Sequence, residues 1–146
     1  MVTEDLSFQK DELPDDRSLI IVDDDRPFLQ RLARAMELRG FEVRSAHSIA
    51  EGIELIRAQA PAVAVVDMRL EDGNGLDVIA ELTRVRPDTR IIVLTGYGNI
   101  ATAVSAVKLG AVDYLAKPAD ADDVTDALLA PHNAKAAPPE NPKIGR

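Results

Sequence analysis

Apolar runs of strand length alternate along most of the chain with segments of helical spacing. The runs at 19–22, 63–66, 91–94 and 111–116 are almost entirely apolar, whereas 41–46 is polar at every second position, as in a half-exposed strand. After each run, apolar residues recur every three or four positions, which predicts a helix with one buried face. The residues expected on those faces are Phe28, Leu32 and Met36; Ile49, Ile53 and Ile56; Leu76, Ile79 and Leu82; Ile100, Val104 and Val107; and Val124 and Leu128.

Five strand–helix units in succession predict an α/β protein, with a parallel sheet covered by helices on both faces. The half-polar second strand belongs at an edge, which favours a flavodoxin-like, doubly wound (βα)5 fold with strand order 2-1-3-4-5. A capping box, Ser48-x-x-Glu51, marks the start of the second helix. In sheets of this kind ligands bind at the carboxyl ends of the strands, so candidate chemistry is sought there.

The folded unit is expected to span residues 18–130. Residues 1–17 contain six acids and two bases without a repeating apolar pattern, which is typical of a disordered acidic segment. Residues 131–146 contain four prolines and several alanines without a periodic apolar face, which indicates a linker.

Composition narrows the function classes. The 146 residues include no cysteine, which excludes disulfides and thiolate metal sites, and the net charge of −8 argues against direct binding to nucleic acid. No stretch approaches the roughly 18 apolar residues that a membrane span needs, and the acidic N-terminus is unlike a secretory signal. We therefore expect a cytoplasmic protein without a membrane partner.

Polar side chains follow four of the apolar runs. The first run stops at the acidic triplet 23–25, the third at Asp67, the fourth at Thr95 and the fifth at Lys117. Each residue alone is ordinary, because such residues are common at helix caps, in turns and on surfaces. Bringing the carboxylates together costs free energy, since two carboxylates about 6 Å apart repel by roughly 3 kcal/mol at an effective dielectric of about 20. Oxygen ligands without cysteine or a nearby histidine predict Mg²⁺, an ion suited to phosphoryl chemistry.

Four sequence blocks resemble the signature segments of bacterial response-regulator receiver domains. They are IIVDDD at 20–25, VVDMRLEDGNG at 65–75, IIVLTGYG at 91–98 and DYLAKP at 113–118. Within that family the chain looks most like the RegA/PrrA/ActR group of redox-responsive two-component regulators. The resemblance implies that the linker leads to a DNA-binding domain absent from this chain, and that DNA is contacted only through it.

The resemblance implies how a phosphoryl group and Mg²⁺ are held. Asp67 resembles the phosphoacceptor, whose carboxylate attacks the donor phosphorus. Asp24 and Asp67 resemble direct Mg²⁺ ligands together with the backbone carbonyl of Arg69, and Asp23 resembles a ligand that acts largely through water. The implied donor is a sensor histidine kinase, and the protein is expected to switch an output rather than turn over a substrate.

Three further residues take roles from the same resemblance. Lys117 is expected to pair with a phosphoryl oxygen, and Thr95 to hydrogen-bond another after moving inward. Tyr114 resembles the aromatic residue that follows Thr95, and the pair would act as a switch. A cis peptide bond is implied before Pro118. The resemblance also implies a possible homodimer of the phosphorylated form through the fourth helix, the fifth strand and the fifth helix.

The loop near the acceptor departs from the family pattern. Glu71 stands where proline is frequent, Arg69 is two residues after the acceptor, and Tyr97 is two residues after the threonine. Arg69 and Tyr97 flank the path of water to an acyl phosphate. We expect these two side chains to tune its lifetime.

Other interpretations of these motifs compete with that of a transcriptional phosphoacceptor. The sequence G-x-G-x-x-A at 96–101 resembles a dinucleotide fingerprint but follows the fourth strand rather than the first. A Ca²⁺ loop from Asp67 fails because Arg69 occupies the third position of the loop and Glu71 the fifth. A dehalogenase-like phosphatase needs a general acid two residues after its aspartate nucleophile, and Arg69, which stands there, cannot serve as one. A stand-alone receiver that acts by docking to a protein remains open.

Overall fold

The computed structural model describes residues 16–96 and 100–129. Nearly all of the predicted acidic segment and all of the predicted linker lie outside these residues. The last two residues of the predicted acidic segment contact the fold. Asp16 accepts hydrogen bonds from Ser18 and pairs with Arg86 at 2.9 Å. The Arg17 carbonyl accepts a hydrogen bond from the backbone N–H of Glu42.

The described residues form seven strands and five helices. The strands are β1 (Ser18–Val22), β2 (Glu42–Ala46), β3 (Val63–Asp67), β4 (Arg69–Leu70), β5 (Gly73–Asn74), β6 (Arg90–Thr95) and β7 (Asp113–Ala116). The helices are α1 (Arg26–Leu38), α2 (Ile49–Ala58), α3 (Leu76–Val85), α4 (Ile100–Leu109) and α5 (Ala121–Leu129). The last long strand is two residues shorter than predicted, since it begins at Asp113.

Five strands form one parallel sheet in the order β2-β1-β3-β6-β7. This confirms the predicted order 2-1-3-4-5, because the short strands β4 and β5 form a separate antiparallel hairpin directly after β3 and take two numbers in the chain count. The half-polar strand β2 lies at an edge, as its pattern predicts. The central strands β1 and β3 are buried at every position, since helices cover both faces of the sheet.

The core has two halves, one on each face of the sheet. One half packs alternate strand residues against α2, α3 and α4, and the other packs the remaining strand residues against α1 and α5. Ile20 and Val66 belong to the first half, whereas Ile21 and Val65 belong to the second, as the period of two in a strand requires. The helices therefore divide three to two between the faces.

The predicted buried face of α4 is wrong. Val104 and Val107 are 41% and 38% exposed, while Ala103 and Ala106 are fully buried. Helix α4 is apolar or small on most sides, so its periodicity fits two stripes equally well. The alanine stripe faces the sheet, where small side chains allow a close approach. The predicted burial of Ile100 stays a prediction, because its side chain lies outside the part of the chain that the structure describes.

The capping box of α2 forms with one hydrogen bond different from the predicted pair. Ser48 Oγ accepts from the Glu51 N–H at 3.1 Å as predicted, but the Glu51 carboxylate accepts from the backbone of His47 instead of Ser48. Helix α1 also buries Leu29, which the periodic pattern missed, and leaves Phe28 half-buried. Among the described residues, no helix is both long and apolar enough to cross a membrane.

Candidate functional site

The carboxyl ends of four adjacent strands meet at one edge of the sheet. Asp23 directly follows β1, Asp67 ends β3, Thr95 ends β6 and Lys117 directly follows β7. The registers bring these ends level, since Asp67 pairs with Leu94 and the Lys117 N–H donates to the Thr95 carbonyl at 2.9 Å. The structure thus places the four sequence-predicted groups at one edge.

Three carboxylates converge there. Asp23, Asp24 and Asp67 each contribute an oxygen within 4.8 Å of the others. Asp23 is completely buried, Asp67 is 5% exposed and Asp24 is half-buried. Asp23 Oδ1 accepts from the Asp25 N–H at 2.9 Å. Its Oδ2 is paired with an ammonium at 3.0 Å.

That ammonium belongs to Lys117, the cation that the structure places at the cluster. Lys117 Nζ lies 3.0 Å from Asp23 Oδ2 and 3.3 Å from Asp67 Oδ2, and 4.9 Å above the centre of the Phe28 ring. Burial acts to lower the pKa of Lys117, but the two carboxylates together outweigh burial and raise it. Lys117 therefore stays charged, and its single positive charge faces three acids.

The excess negative charge of the cluster affects the pKa of Asp67. Burial, followed by repulsion from Asp23, raises the pKa of Asp67 from 3.8 to about 6, even though Lys117 and the Arg69 N–H favour its ionised form. The cluster therefore gains from a proton or another cation. Three converging carboxylates, two of them buried, fit a small hard divalent ion such as Mg²⁺.

The loop after Asp67 lies close against the acceptor. The Arg69 N–H donates to Asp67 Oδ1 at 3.3 Å, while the side chains of Arg69 and Glu71 are exposed. The Gly75 N–H donates to the Met68 carbonyl at 2.9 Å. A β-carbon on Gly75 would lie 2.5 Å from the Asp67 carbonyl oxygen, so only glycine fits where the chain enters α3.

Thr95 and Tyr114 lie on the same face of the sheet. Thr95 is 1% exposed, and its hydroxyl donates to the Gly96 carbonyl at 3.2 Å. Tyr114 pairs with Val93, two residues before Thr95, so all three side chains point towards α4. Tyr114 is half-buried there. Tyr97, the predicted lifetime residue, lies outside the described residues.

Sequence reasoning missed three contacts near the site. Asp25 caps α1 by accepting from the Phe28 N–H at 3.2 Å, for which an Asp-x-Pro start was an available signal. Phe28 lies beneath Lys117, and Asp72 accepts from the backbone of α2; neither contact has a local sequence signal. The Lys117–Pro118 peptide bond is cis, as the resemblance implied.

Comparisons with known proteins agree with this geometry. Residues 19–129 match the response regulator receiver domain family. The chain is 63% identical to the photosynthetic apparatus regulatory protein RegA of Cereibacter sphaeroides, over 97% of this chain and 75% of that protein. It is 64% identical to the acid tolerance regulatory protein ActR of Rhizobium meliloti, over 87% of this chain and 66% of that protein.

A solved structure is similar as well. A response regulator protein from Burkholderia pseudomallei, whose crystal structure has a phosphorylated aspartic acid, a calcium ion and citrate, superposes with a TM-score of 0.76 at 44% identity. The match covers 82% of this chain and 70% of that one.

Proposed function

We propose, from the premise that the chain belongs to the response regulator receiver family, that Asp67 accepts a phosphoryl group. Asp23, Asp24 and Asp67, together with the backbone carbonyl of Arg69, hold Mg²⁺. The observation that carries the proposal is the acidic cluster, in which three carboxylates, two of them buried, share one lysine. Receivers are phosphorylated by sensor histidine kinases, so such a kinase is the proposed donor. The chain then acts as a switch rather than as a turnover enzyme.

The residues divide the chemistry among themselves. An Asp67 carboxylate oxygen forms a bond to the donor phosphorus as the bond from phosphorus to the leaving group breaks, and the leaving group departs with the electron pair. A pKa of about 6 leaves Asp67 mostly ionised at neutral pH and therefore able to attack. Lys117 lies close enough to pair with a transferred oxygen. Mg²⁺, when bound, neutralises charge on the phosphoryl oxygens.

The output would begin at Thr95. Its hydroxyl donates to its neighbour's carbonyl in the present structure, and a phosphoryl oxygen on Asp67 offers a stronger, charged acceptor. Tyr114 is half-buried on the same face and would follow Thr95 inward. Movement of both would alter the surface of α4, β7 and α5.

Phosphorylation is tested with acetyl phosphate and Mg²⁺. Intact mass should increase by one phosphoryl group in the wild-type chain, and chelation should prevent the increase. Asp67→Ala is the acceptor variant, and Glu71→Gln, which removes an exposed acid of the same loop, tests that another loop acid is not the acceptor. A labile phosphoryl group on Asp67→Ala protein would refute the assignment.

We further propose that the output is a transcriptional response, because the relatives include the transcriptional regulatory protein GlrR of Escherichia coli, which is 33% identical over 75% of this chain. The exposed apolar side chains of α4, Val104, Val107 and Leu109, offer a surface for self-association when the switch moves. The alternative is a receiver that docks to another protein through the same surface. Sedimentation with and without beryllofluoride separates them: a dimer only in the activated state supports self-association, and a monomer in both states supports docking.

A further inference from the structure

The hairpin of β4 and β5 joins the acceptor strand to a distant helix. It begins two residues after Asp67, and Asp72 lies in its two-residue turn. The Asp72 carboxylate spans the start of α2: Oδ1 accepts from the Ile49 N–H at 3.0 Å and Oδ2 accepts from the Ala50 N–H at 3.2 Å. These contacts cross more than twenty residues of sequence.

Asp72 completes the cap of α2. The first four N–H groups of a helix have no partner within the helix. Ile49 and Ala50 donate to Asp72, Glu51 donates to Ser48 Oγ, and Gly52 donates to the Ser48 carbonyl at 3.0 Å. Hydrogen bonding, first of all from Ile49, lowers the pKa of Asp72, and its negative charge lies at the positive end of the helix dipole.

Apolar packing holds the hairpin at the same place. Leu70 is buried in the half of the core that contains Ile49. Gly73 has φ +145°, and a β-carbon there would lie 2.8 Å from Ile49 Cδ1. The hairpin is therefore seated on α2 through its turn carboxylate, a buried leucine and a glycine at positive φ that lies against Ile49.

We propose that Asp72 is a positioning residue for the phosphoryl site, which clasps the hairpin to α2 and so holds the backbone of Arg69 beside Asp67. The Arg69 N–H contacts Asp67 Oδ1 at 3.3 Å, and Arg69 pairs with Asn74 across the hairpin. Any shift of the turn is transmitted to Arg69, because only two residues separate it from Asp72. The part that concerns Mg²⁺ rests on the proposed function, since it takes the Arg69 carbonyl as a ligand.

Ser48→Ala is a matched control. Ser48 caps the same helix, but it belongs to the segment before α2 and does not contact the hairpin in the described contacts. Both Asp72→Ala and Ser48→Ala remove acceptors from the helix start and should lower the melting temperature. Of the two variants, only Asp72→Ala removes a contact between the hairpin and α2. Asp72→Asn, which keeps one acceptor oxygen, should lie between the wild-type protein and Asp72→Ala.

Two measurements decide the proposal. Hydrogen exchange without Mg²⁺ should be faster for the Arg69 and Gly75 amides in Asp72→Ala and unchanged in Ser48→Ala, after correction for global stability. Titration with Mg²⁺ should show binding weakened by about tenfold in Asp72→Ala, the usual range for a residue that orients a ligand, and unchanged in Ser48→Ala.

The outcomes separate the two proposals. If Asp72→Ala changes only the melting temperature, as Ser48→Ala does, Asp72 is a helix cap without a positioning role. If its hairpin amides exchange as in the wild type, the clasp is refuted whatever happens to Mg²⁺. Wild-type protein that neither binds Mg²⁺ nor accepts a phosphoryl group would overturn the proposed function, while the exchange measurement would still decide the clasp.

Discussion

Replacing Asp67 with asparagine should stabilise the metal-free protein at neutral pH. Folding raises the pKa of Asp67 from 3.8 to about 6, first by burial and then by repulsion from Asp23. Between those two values the folded chain keeps a proton that the unfolded chain has lost. The stability that Asp67 contributes is therefore fully present below about pH 4 and is lost as the pH rises through about 6.

The magnitude follows from the two pKa values. A rise from 3.8 to about 6 corresponds to about 3 kcal/mol of lost stability at pH 7. The asparagine variant cannot ionise, and its amide oxygen can still accept from the Arg69 N–H. Lys117 keeps Asp23 as its partner at 3.0 Å. The variant should therefore exceed the wild type by up to about 3 kcal/mol above pH 6, and by much less near pH 4.

Urea unfolding in the presence of a chelator, from about pH 4 to pH 8, measures this difference directly. Glu71→Gln, an exposed acid in the same loop, is the control and should track the wild type at every pH. Saturating Mg²⁺ should reduce the advantage of Asp67→Asn, because a bound cation removes the repulsion in the wild type. A difference between Asp67→Asn and wild type that is constant across the range would refute the reasoning.

Three other outcomes are expected. Mg²⁺ should raise the melting temperature of the wild type but not of Asp24→Ala, and equal increases would count against the acidic site. The double variant Arg69→Asn, Tyr97→Glu should lose its phosphoryl group faster than the wild type in a decay assay. A tenfold change in rate corresponds to only about 1.4 kcal/mol of activation barrier. An unchanged rate would show that these two side chains do not set the lifetime, and Glu71 would be tested next. Gly75→Ala should cost about 3 kcal/mol in denaturant unfolding, and more than Gly52→Ala, because its β-carbon would meet backbone at 2.5 Å rather than a valine methyl at 3.2 Å.

The sequence was sufficient for the architecture and for the main candidate groups. Strand and helix periods reveal which residues share a face, so the alternation of elements and the edge position of β2 could be read from one chain. Parallel strands align their carboxyl ends, so residues that end separate apolar runs, such as Asp67 and Lys117, had to meet. Neither inference needs a distance between remote residues.

Tertiary structure decided the buried face of α4, the separate roles of Asp24 and Asp25, and the contacts of Asp72, because these depend on distances between residues that are remote in sequence. Helix α4 has two stripes that its sequence cannot distinguish, and packing against the sheet selected Ala103 over Val104. Asp25 became a helix cap while its neighbour Asp24 joined the cluster, a division set by where the chain turns after β1. The hold of Asp72 on α2 and the raised pKa of Asp67 arise from groups far apart in sequence, whose burial and charge act on one another only after the chain has folded.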